Sequence, residues 1–258
     1  MVVYDEAEAE KTDRAYLTPD VVRQRMRTLE ALHLKAGEFV LDVGCGTGLL
    51  AYDMATLVGA GGRVAGVDVS KDMLVLAERR CADLPQVHLK QSKAEDLPEG
   101  DESFDAVTCV QVLLYLSDVP AALAEMHRVL KPGGRIAIIE TDWRGMVLNS
   151  FDDSLTRKMI AAWDDVVSSP NLPVRLGPLI KAHGFSAVNV DAIPIVNASC
   201  TPGNFSSELL EQFARYAREQ GTVSAGESEA WLDDLQHKGA DGSYFFCVNR
   251  FVFTAVKF

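Results

Sequence analysis

The segment Val40–Gly48, with the sequence VLDVGCGTG, constrains this chain more than any other feature. The apolar run from Phe39 to Val43 has the length and branching of a buried strand, and three glycines follow it in a G-x-G-x-G pattern. The next run, Leu49 to Val58, is typical of a helix. A strand, a glycine turn and a helix in this order bring backbone N–H groups to face a ligand. The pattern therefore predicts an α/β fold with a ligand at the turn.

A second predicted strand, Arg63 to Val67, ends at Asp68, which lies 20 positions after Gly48. A carboxylate at a strand tip can accept hydrogen bonds from both hydroxyls of a ribose, which nicotinamide and adenosyl cofactors share. The dinucleotide pattern G-x-G-x-x-G would need a glycine at position 49, where this chain has Leu49. The spacing therefore argues against a nicotinamide-dependent oxidoreductase.

Four motifs follow one another in an order that resembles a known family. They are LDVGCGTG at 41–48, GVDVS at 66–70, FDAV at 104–107 and RVLKPGG at 128–134. Together they are similar to the class I S-adenosylmethionine-dependent methyltransferases, of the small-molecule branch that includes the ubiquinone and menaquinone C-methyltransferases. The resemblance covers roughly residues 35 to 140. It implies S-adenosylmethionine as methyl donor, S-adenosylhomocysteine as product, and a Rossmann-like, doubly wound sheet of seven strands, mostly parallel with an antiparallel last strand.

The resemblance also implies which residues contact the cofactor. The predicted set is Tyr16, Asp42, Gly44, Cys45, Gly46, Gly48, Asp68, Val69, Met73, Ala94, Glu95 and Gln111. Tyr16 is placed to reach the amino-acid end of the cofactor or to act as a packing anchor. Met73 takes the place where relatives set an apolar residue against adenine. Relatives usually show Gly-Asp-Ala-Glu near adenine, whereas this chain has Ser92-Lys93-Ala94-Glu95.

Lys93 cannot accept a hydrogen bond from the adenine amino group. That contact must come from the backbone, from Ser92 or from Glu95, or apolar packing must hold the ring.

The end of the fourth predicted strand bears on the reaction. It reads VQVLLY from Val110 to Tyr115, without the Asn/Asp-Pro-Pro-Tyr that is usual where nucleobase amines or glutamine amides are methylated. Tyr115 takes a place that histidine often holds in the small-molecule branch, so it faces the methyl group or packs in the core. A general base is needed only if the acceptor is protonated, and the candidates are Tyr115, Asp142 and His183. His183 is expected instead to contact carbonyls at a helix end.

Composition and charge limit the class of protein and its expected location. The chain is 48% hydrophobic and 24% charged, typical of a globular protein, and its acidic N-terminus is unlike a secretory signal. Its five cysteines form no C-x-x-C motif, which favours reduced thiols and a cytoplasmic location. The five histidines lack metal-ligand spacing, so no metal is expected. A net charge of −12 argues against a nucleic-acid partner.

The remaining segments predict a single domain over 1–258 with a helical cap. The cap is predicted from 1–32, 142–173 and 195–243, on a core of 33–141, 174–194 and 244–258, with residues 1–18 frayed at their start. Four aromatic residues of the cap are expected on the methyl side, although packing will claim some of them. They are Trp143, Phe205, Phe213 and Trp231.

The sequence thus predicts a methyltransferase acting on a small, partly apolar acceptor, with no insertion into a membrane. Whether a carbon, nitrogen or oxygen atom is methylated stays open, as does the oligomeric state. One alternative is a catalytically inactive S-adenosylmethionine-binding regulatory protein. Another is an arsenite methyltransferase, which would need several convergent cysteines.

Overall fold

The computed structural model describes residues 6–258, so the first five positions of the predicted cap lie outside the described residues. Seven strands form one sheet in the order β3-β2-β1-β4-β5-β7-β6. They are β1 Phe39–Val43, β2 Arg63–Asp68, β3 Val87–Gln91, β4 Phe104–Val110, β5 Leu130–Leu148, β6 Phe185–Asn197 and β7 Phe246–Lys257. Strands β1 to β5 pair in parallel, and β7 runs antiparallel to both β5 and β6. The predicted sheet with an antiparallel last strand is confirmed.

Nine α-helices lie among the described residues. They are α1 Glu6–Tyr16, α2 Pro19–Leu32, α3 Leu49–Val58, α4 Lys71–Arg80, α5 Val119–Val129, α6 Asp153–Ala162, α7 Pro173–Ala182, α8 Phe205–Glu219 and α9 Ala225–Asp241. Side-chain caps begin several of them: Ser70 accepts from the Met73 N–H, and Ser224 forms a capping box with Glu227. Within residues 6–258, no helix has both the length and the apolar character that a membrane span requires.

The central strands β1, β2 and β4 are mostly buried on both faces, which explains their largely apolar sequences. In β1, Leu41 and Val43 belong to the larger core cluster, on the side of α5 and the C-terminal helices. Val40 belongs to a second cluster with Met54 of α3 and Val64 of β2. The sheet is therefore covered by helices on both sides, and ligand space is left at its edge.

Two boundaries differ from the sequence prediction. Glu6–Tyr16 form helix α1, which the sequence analysis did not predict, and Arg80 of α4 holds it by donating to both carboxylate oxygens of Asp13 at 2.9 and 3.0 Å. The fraying predicted at the start of the chain falls on positions outside the described residues. Strand β5 does not end at Glu140 but continues to Leu148, since its extension pairs with the start of β7. The sheet therefore takes residues 142–148, which the sequence had placed in the cap.

Candidate functional site

The turn after β1 depends on glycine. Gly44, Gly46 and Gly48 have φ angles of 74°, 52° and 79°, in the left-handed region where a side chain is strained. A Cβ on Gly44 would collide with Cγ2 of Val112, and one on Gly48 would lie 2.8 Å from Cβ of Ala77. A Cβ on Gly46 would meet only Cε2 of Tyr16, at 3.8 Å. Gly44 and Gly48 thus permit packing, whereas Gly46 borders open space.

Asp68 is held at the tip of β2, beside this turn. Its Oδ2 accepts from the N–H of Gly46 and its Oδ1 from the N–H of Ser70, both at 2.9 Å. Burial raises the pKa of the Asp68 carboxyl, and the backbone hydrogen bonds oppose that rise. A carboxylate can accept about four hydrogen bonds, so capacity remains for ligand hydroxyls.

A first cavity of about 210 Å³ lies at the carboxyl ends of β1, β2 and β4. This is where ligands bind in open parallel sheets. All but one of the predicted cofactor contacts line it: Tyr16, Asp42, Gly44, Cys45, Gly46, Asp68, Val69, Met73, Ala94, Glu95 and Gln111. Gly48 is the exception, because it caps α3 and packs against Ala77.

The adenine end of this cavity offers apolar surface. Met73 is buried and lines it together with Val69 and Ala94. The hydroxyl of Ser92 donates to the carbonyl of Asp96 at 2.6 Å, which orients it, and its oxygen can still accept a hydrogen bond. Lys93 is exposed at the rim. Of the four possibilities that the sequence left open, apolar packing has the clearest support here.

Three buried polar atoms of the first cavity have no partner among the described residues. They are Oε1 of Gln24, Oδ2 of Asp42 and Oγ1 of Thr47, and all three can accept hydrogen bonds. Burial, and secondarily the charge of Asp68, raises the pKa of Asp42 to about 7. Buried acceptors are rarely left unpaired in proteins. A site with spare acceptors fits a ligand with a positive charge and N–H donors, as S-adenosylmethionine has.

A second, larger cavity of about 530 Å³ adjoins the first. Its aromatic wall consists of Trp143, Trp163, Phe205 and Tyr216. Four residues line both cavities, and we call them the junction: Tyr16, Gln111, Tyr115 and Arg250. The first cavity therefore communicates with an aromatic chamber built largely by the C-terminal half of the chain.

Arg250 of β7 is a junction residue that the sequence analysis missed. Arg250 is buried, with only 5% of its surface exposed. Its Nε donates to Oγ1 of Thr141 at 3.2 Å, and its guanidinium carbon lies 4.8 Å from the centre of the Phe205 ring. Its terminal nitrogens have no hydrogen bond or ion pair within residues 6–258. Burial lowers the pKa of Arg250 to about 10. The sequence did contain a signal for this residue, because Arg250 occupies a buried position in the alternating pattern of strand β7.

The three base candidates are placed differently. Tyr115 lies at the junction, and burial raises the pKa of its phenol. Asp142 lines neither cavity, so its position differs from the one expected of a base at the site. Strand alternation places its side chain on the face opposite Thr141, which contacts Gln111. His183 also lines neither cavity, and its Nδ1 lies 2.7 Å from the Leu179 carbonyl at the end of α7, as expected.

Two further features shape the junction. Gln111 has a φ of 57°, and its Oε1 accepts from the hydroxyl of Thr141 at 2.5 Å. Buried Glu140, which the sequence did not single out, accepts from the N–H groups of Val112 and Leu113 at 3.2 and 2.8 Å. Burial raises the pKa of Glu140 to about 8. These contacts fix the short turn that carries Tyr115.

The four aromatic residues predicted on the methyl side divide into two pairs. Trp143 and Phe205 line the second cavity. Phe213 packs between two tryptophans of the wall, and the indole of Trp231 is fully buried, donating to Thr156 at 2.9 Å. Phe213 and Trp231 therefore serve core packing and do not line the cavity, as the prediction allowed for some of the four.

Part of the chain matches a known protein family. Residues 40–134 match the family described as "Methyltransferase domain". A demethylmenaquinone methyltransferase of Oceanobacillus iheyensis is 41% identical over 119 residues, which cover 45% of this chain and 50% of that protein. This chain therefore spans about half the length of the relatives with that name.

Solved structures share the fold. The 4+2 cyclase SpnF is 26% identical with a TM-score of 0.61, over 92% of this chain and 81% of that one. Phosphoethanolamine N-methyltransferase 2 of Haemonchus contortus, solved with S-adenosyl-L-methionine, is 21% identical with a TM-score of 0.65, over 98% and 57% of the two chains. Since one neighbour is a cyclase by name, the fold alone does not specify a reaction. Taken together, residues 40–134 match a methyltransferase domain, and the sheet has the Rossmann-like fold of a solved methyltransferase that binds S-adenosyl-L-methionine.

Proposed function

We propose that this protein transfers a methyl group from S-adenosylmethionine to a small, partly apolar acceptor. The observation that carries the proposal is the junction, where the cavity at the glycine turn meets the aromatic cavity. When bound, the cofactor supplies an electrophilic methyl group on a sulfonium and leaves as S-adenosylhomocysteine. The protein's own task is to align acceptor and methyl group and to exclude water.

Each part of the first cavity has a role in this proposal. Asp68 accepts the ribose hydroxyls, and the glycine turn around Gly46 allows the ligand to approach the backbone. Met73 packs against the adenine. Asp42 and Gln24 provide acceptors for the positively charged amino-acid end, which would pair atoms that are otherwise buried without a partner.

The acceptor is proposed to occupy the second cavity. An aromatic wall with a few polar groups is suited to a small molecule with apolar surface. The net charge of −12 opposes a phosphate backbone, and the end of β4 lacks the motif of nucleobase amine methylation. Trp143, Trp163, Phe205 and Tyr216 all lie beyond the matched residues 40–134, so the identity of a relative's acceptor does not transfer to this chain.

Two further parts of the sequence interpretation stay proposals. The helices outside the sheet, above all α1, α8 and the turn at Trp163, are proposed to act as a cap over the acceptor. The reaction is placed in the cytoplasm, where thiols stay reduced, and all five cysteines are free. Cys45 is the only cysteine among the described residues that line either cavity, which disfavours arsenite as the acceptor.

The test is transfer of tritium from methyl-labelled S-adenosylmethionine. The purified protein is incubated with a metabolite extract, with bulk RNA and, separately, with bulk protein. We expect label in a small product that organic solvent extracts, and none in the two macromolecular fractions.

Gly46→Val serves as the control that cannot bind cofactor, because its side chain would project toward Tyr16 at a φ suited to glycine. Label in RNA or protein would contradict the acceptor class. Binding of the cofactor without transfer to any extract would favour the inactive regulatory alternative.

A further inference from the structure

The junction contains one cation and no effective base. Of its four residues, only Tyr16, Tyr115 and Arg250 are titratable. Burial raises the pKa of both phenols, so neither ionises at neutral pH. The carboxylates of the second cavity belong to Glu8, Asp165, Glu208 and Glu219, and none of these lines the first cavity. An acceptor that had to lose a proton during transfer would find no group at the junction to take it.

Arg250 is, in contrast, a buried positive charge without a counter-ion. Its terminal nitrogens have no partner within residues 6–258, although an arginine presents five N–H donors. Buried charges in proteins are normally paired. The ring of Phe205 lies against the guanidinium at 4.8 Å, and Phe205 lines only the second cavity. The guanidinium therefore borders the acceptor cavity as well as the cofactor cavity.

The surrounding charges do not neutralise it. Four titratable groups face Arg250: Tyr16 from α1, Asp20 from α2, Tyr115 from the turn after β4, and Glu140 from β5. Asp20 is engaged by the side-chain amide of Asn197 at 2.9 Å and by Arg23 at 4.0 Å. Glu140 accepts from the N–H groups of Val112 and Leu113 and makes no ion pair with Arg250 among the described residues, and burial raises its pKa to about 8.

The cofactor cavity has a cation of its own. Arg25 of α2 lines the first cavity and not the second, with its Nε bonded to Asp53 at 2.7 Å and one terminal nitrogen to the carbonyl of Tyr16 at 3.3 Å. Its other terminal nitrogen remains available to the carboxylate of the cofactor. Arg250 is thus free for another anion.

We propose that the acceptor binds as an oxyanion, an enolate or phenolate on a planar apolar frame, with its charged oxygen paired to the terminal nitrogens of Arg250. The inference rests on the proposed function and adds the chemical class of the acceptor. The acceptor's proton passes to solvent when it binds. In the transfer, an electron pair of the anion forms the bond to the methyl carbon while the carbon–sulfur bond breaks. That bonding pair stays on sulfur, so the negative and the positive charge are neutralised together.

Arg250 then replaces a general base, because a nearby cation favours the ionised form of an acidic acceptor. The aromatic wall accounts for the planar, apolar frame, since aromatic side chains such as Trp163 and Tyr216 favour contact with other rings. A neutral amine or an isolated alcohol would gain less from this cation, because neither carries the negative charge that strengthens a hydrogen bond to a guanidinium. The geometry therefore selects among small molecules by acidity as well as by shape.

The test uses 7-hydroxycoumarin, a planar phenol that ionises near neutral pH and whose anion and neutral form absorb at different wavelengths. Its pKa is measured free and bound to the protein with S-adenosylhomocysteine present. We expect the bound anion to be at least about tenfold tighter than the bound phenol, seen as a fall of at least about one pH unit in the bound pKa. The neutral 7-methoxycoumarin measures the contribution of shape alone.

Three variants sharpen the result. Arg250→Met should remove the shift while changing the affinity for 7-methoxycoumarin and for S-adenosylhomocysteine by less than about threefold. Arg250→Lys should keep part of the shift, because it keeps the charge and loses the planar donors. Arg218→Met is the matched control, since Arg218 is exposed on α8 and lines neither cavity.

Several outcomes would overturn the inference. They are no shift in the wild type, an equal shift in Arg250→Met, or no binding of the phenol at millimolar concentration. A loss of more than about tenfold in affinity for S-adenosylhomocysteine in Arg250→Met would assign Arg250 to the cofactor instead. Failure of the wild type to bind S-adenosylhomocysteine contradicts the proposed function, whereas binding without a coumarin shift contradicts only this inference.

Discussion

The backbone N–H of Gly46 donates to Oδ2 of Asp68 at 2.9 Å, which joins the glycine turn of β1 to the tip of the neighbouring strand β2. The other carboxylate oxygen is held by the N–H of Ser70, also at 2.9 Å. Asp68 is therefore oriented before any ligand binds, and its remaining lone pairs point from a fixed position. Pre-organisation of this kind reduces the entropy that binding must cost.

Replacing Asp68 by alanine should weaken cofactor binding by roughly tenfold to a few hundredfold. The reason is that hydrogen bonds to a charged acceptor contribute about 1.5–3 kcal/mol each. Calorimetry with S-adenosylhomocysteine measures the change, and Asp72→Ala is the control because Asp72 lies in the next helix and lines neither cavity. Unchanged affinity in a folded Asp68→Ala protein would remove Asp68 from the site.

Alanine at Gly44 and at Gly46 should have different effects. Gly44→Ala places a Cβ against Val112 at a φ of 74°, so we expect a loss of about 1–3 kcal/mol in the free energy of unfolding. Gly46→Ala meets only the edge of Tyr16 at 3.8 Å, so its larger effect should be on cofactor affinity.

Denaturant unfolding and calorimetry of both variants separate the two effects. The double variant Gly44→Ala with Val112→Ala should recover part of the lost stability, since it removes the obstructing methyl groups. If it recovers none, the collision with Val112 is not the cause.

Lys93→Ala should change cofactor affinity by less than about threefold. Lys93 is exposed at the rim of the first cavity, and its ammonium group cannot accept from an adenine amino group. Substitutions at such positions usually change free energies by no more than about 0.5 kcal/mol. Calorimetry is again the measurement, and a much larger loss would show that the lysine side chain contacts the cofactor.

Asp42→Asn should change how stability depends on pH. Burial first, and Asp68 second, raises the pKa of Asp42 from 3.8 to about 7, so the folded state holds its proton where the unfolded state has lost it. This carboxyl therefore lowers the free energy of unfolding as pH rises from about 4 to about 7, by up to about 4 kcal/mol.

Urea unfolding of the cofactor-free protein at pH 5 and pH 8 measures the effect. The stability of Asp42→Asn relative to wild type should rise by about 2–3 kcal/mol between the two pH values, because asparagine does not titrate. A difference that stays constant with pH would mean that Asp42 is not the group responsible.

Arg250→Met should not lower stability and is expected to raise the free energy of unfolding by about 1–2 kcal/mol. Burial of the unpaired cation, which lowers its pKa to about 10, costs more than the bond to Thr141 and the contact with Phe205 return. Thermal and urea unfolding test this. A loss of more than about 2 kcal/mol would show that Arg250 is a structural residue and not a charge kept for a ligand.

The first cavity could be predicted from the sequence because its key parts are local. Phe39 to Gly48 encodes a strand and a turn within ten positions, and the left-handed angles of that turn need glycine wherever it occurs. Asp68 is placed by the same logic, since the carboxyl ends of adjacent parallel strands meet at one edge of a sheet. Neither prediction depends on the structure of the last hundred residues.

The second cavity was decided by tertiary structure. Insertion of β7 between β5 and β6 pairs Thr141 with Arg250, which are more than a hundred positions apart, and no local pattern records that register. The same pairing keeps Asp142 in the sheet opposite Asn249, so it does not enter the site as its position after a predicted strand end had suggested. Local periodicity determined which residues form the strands and the cofactor turn. Only long-range strand pairing decided which charge and which aromatic rings meet at the junction, because side-chain neighbours across a sheet are set by register and not by sequence distance.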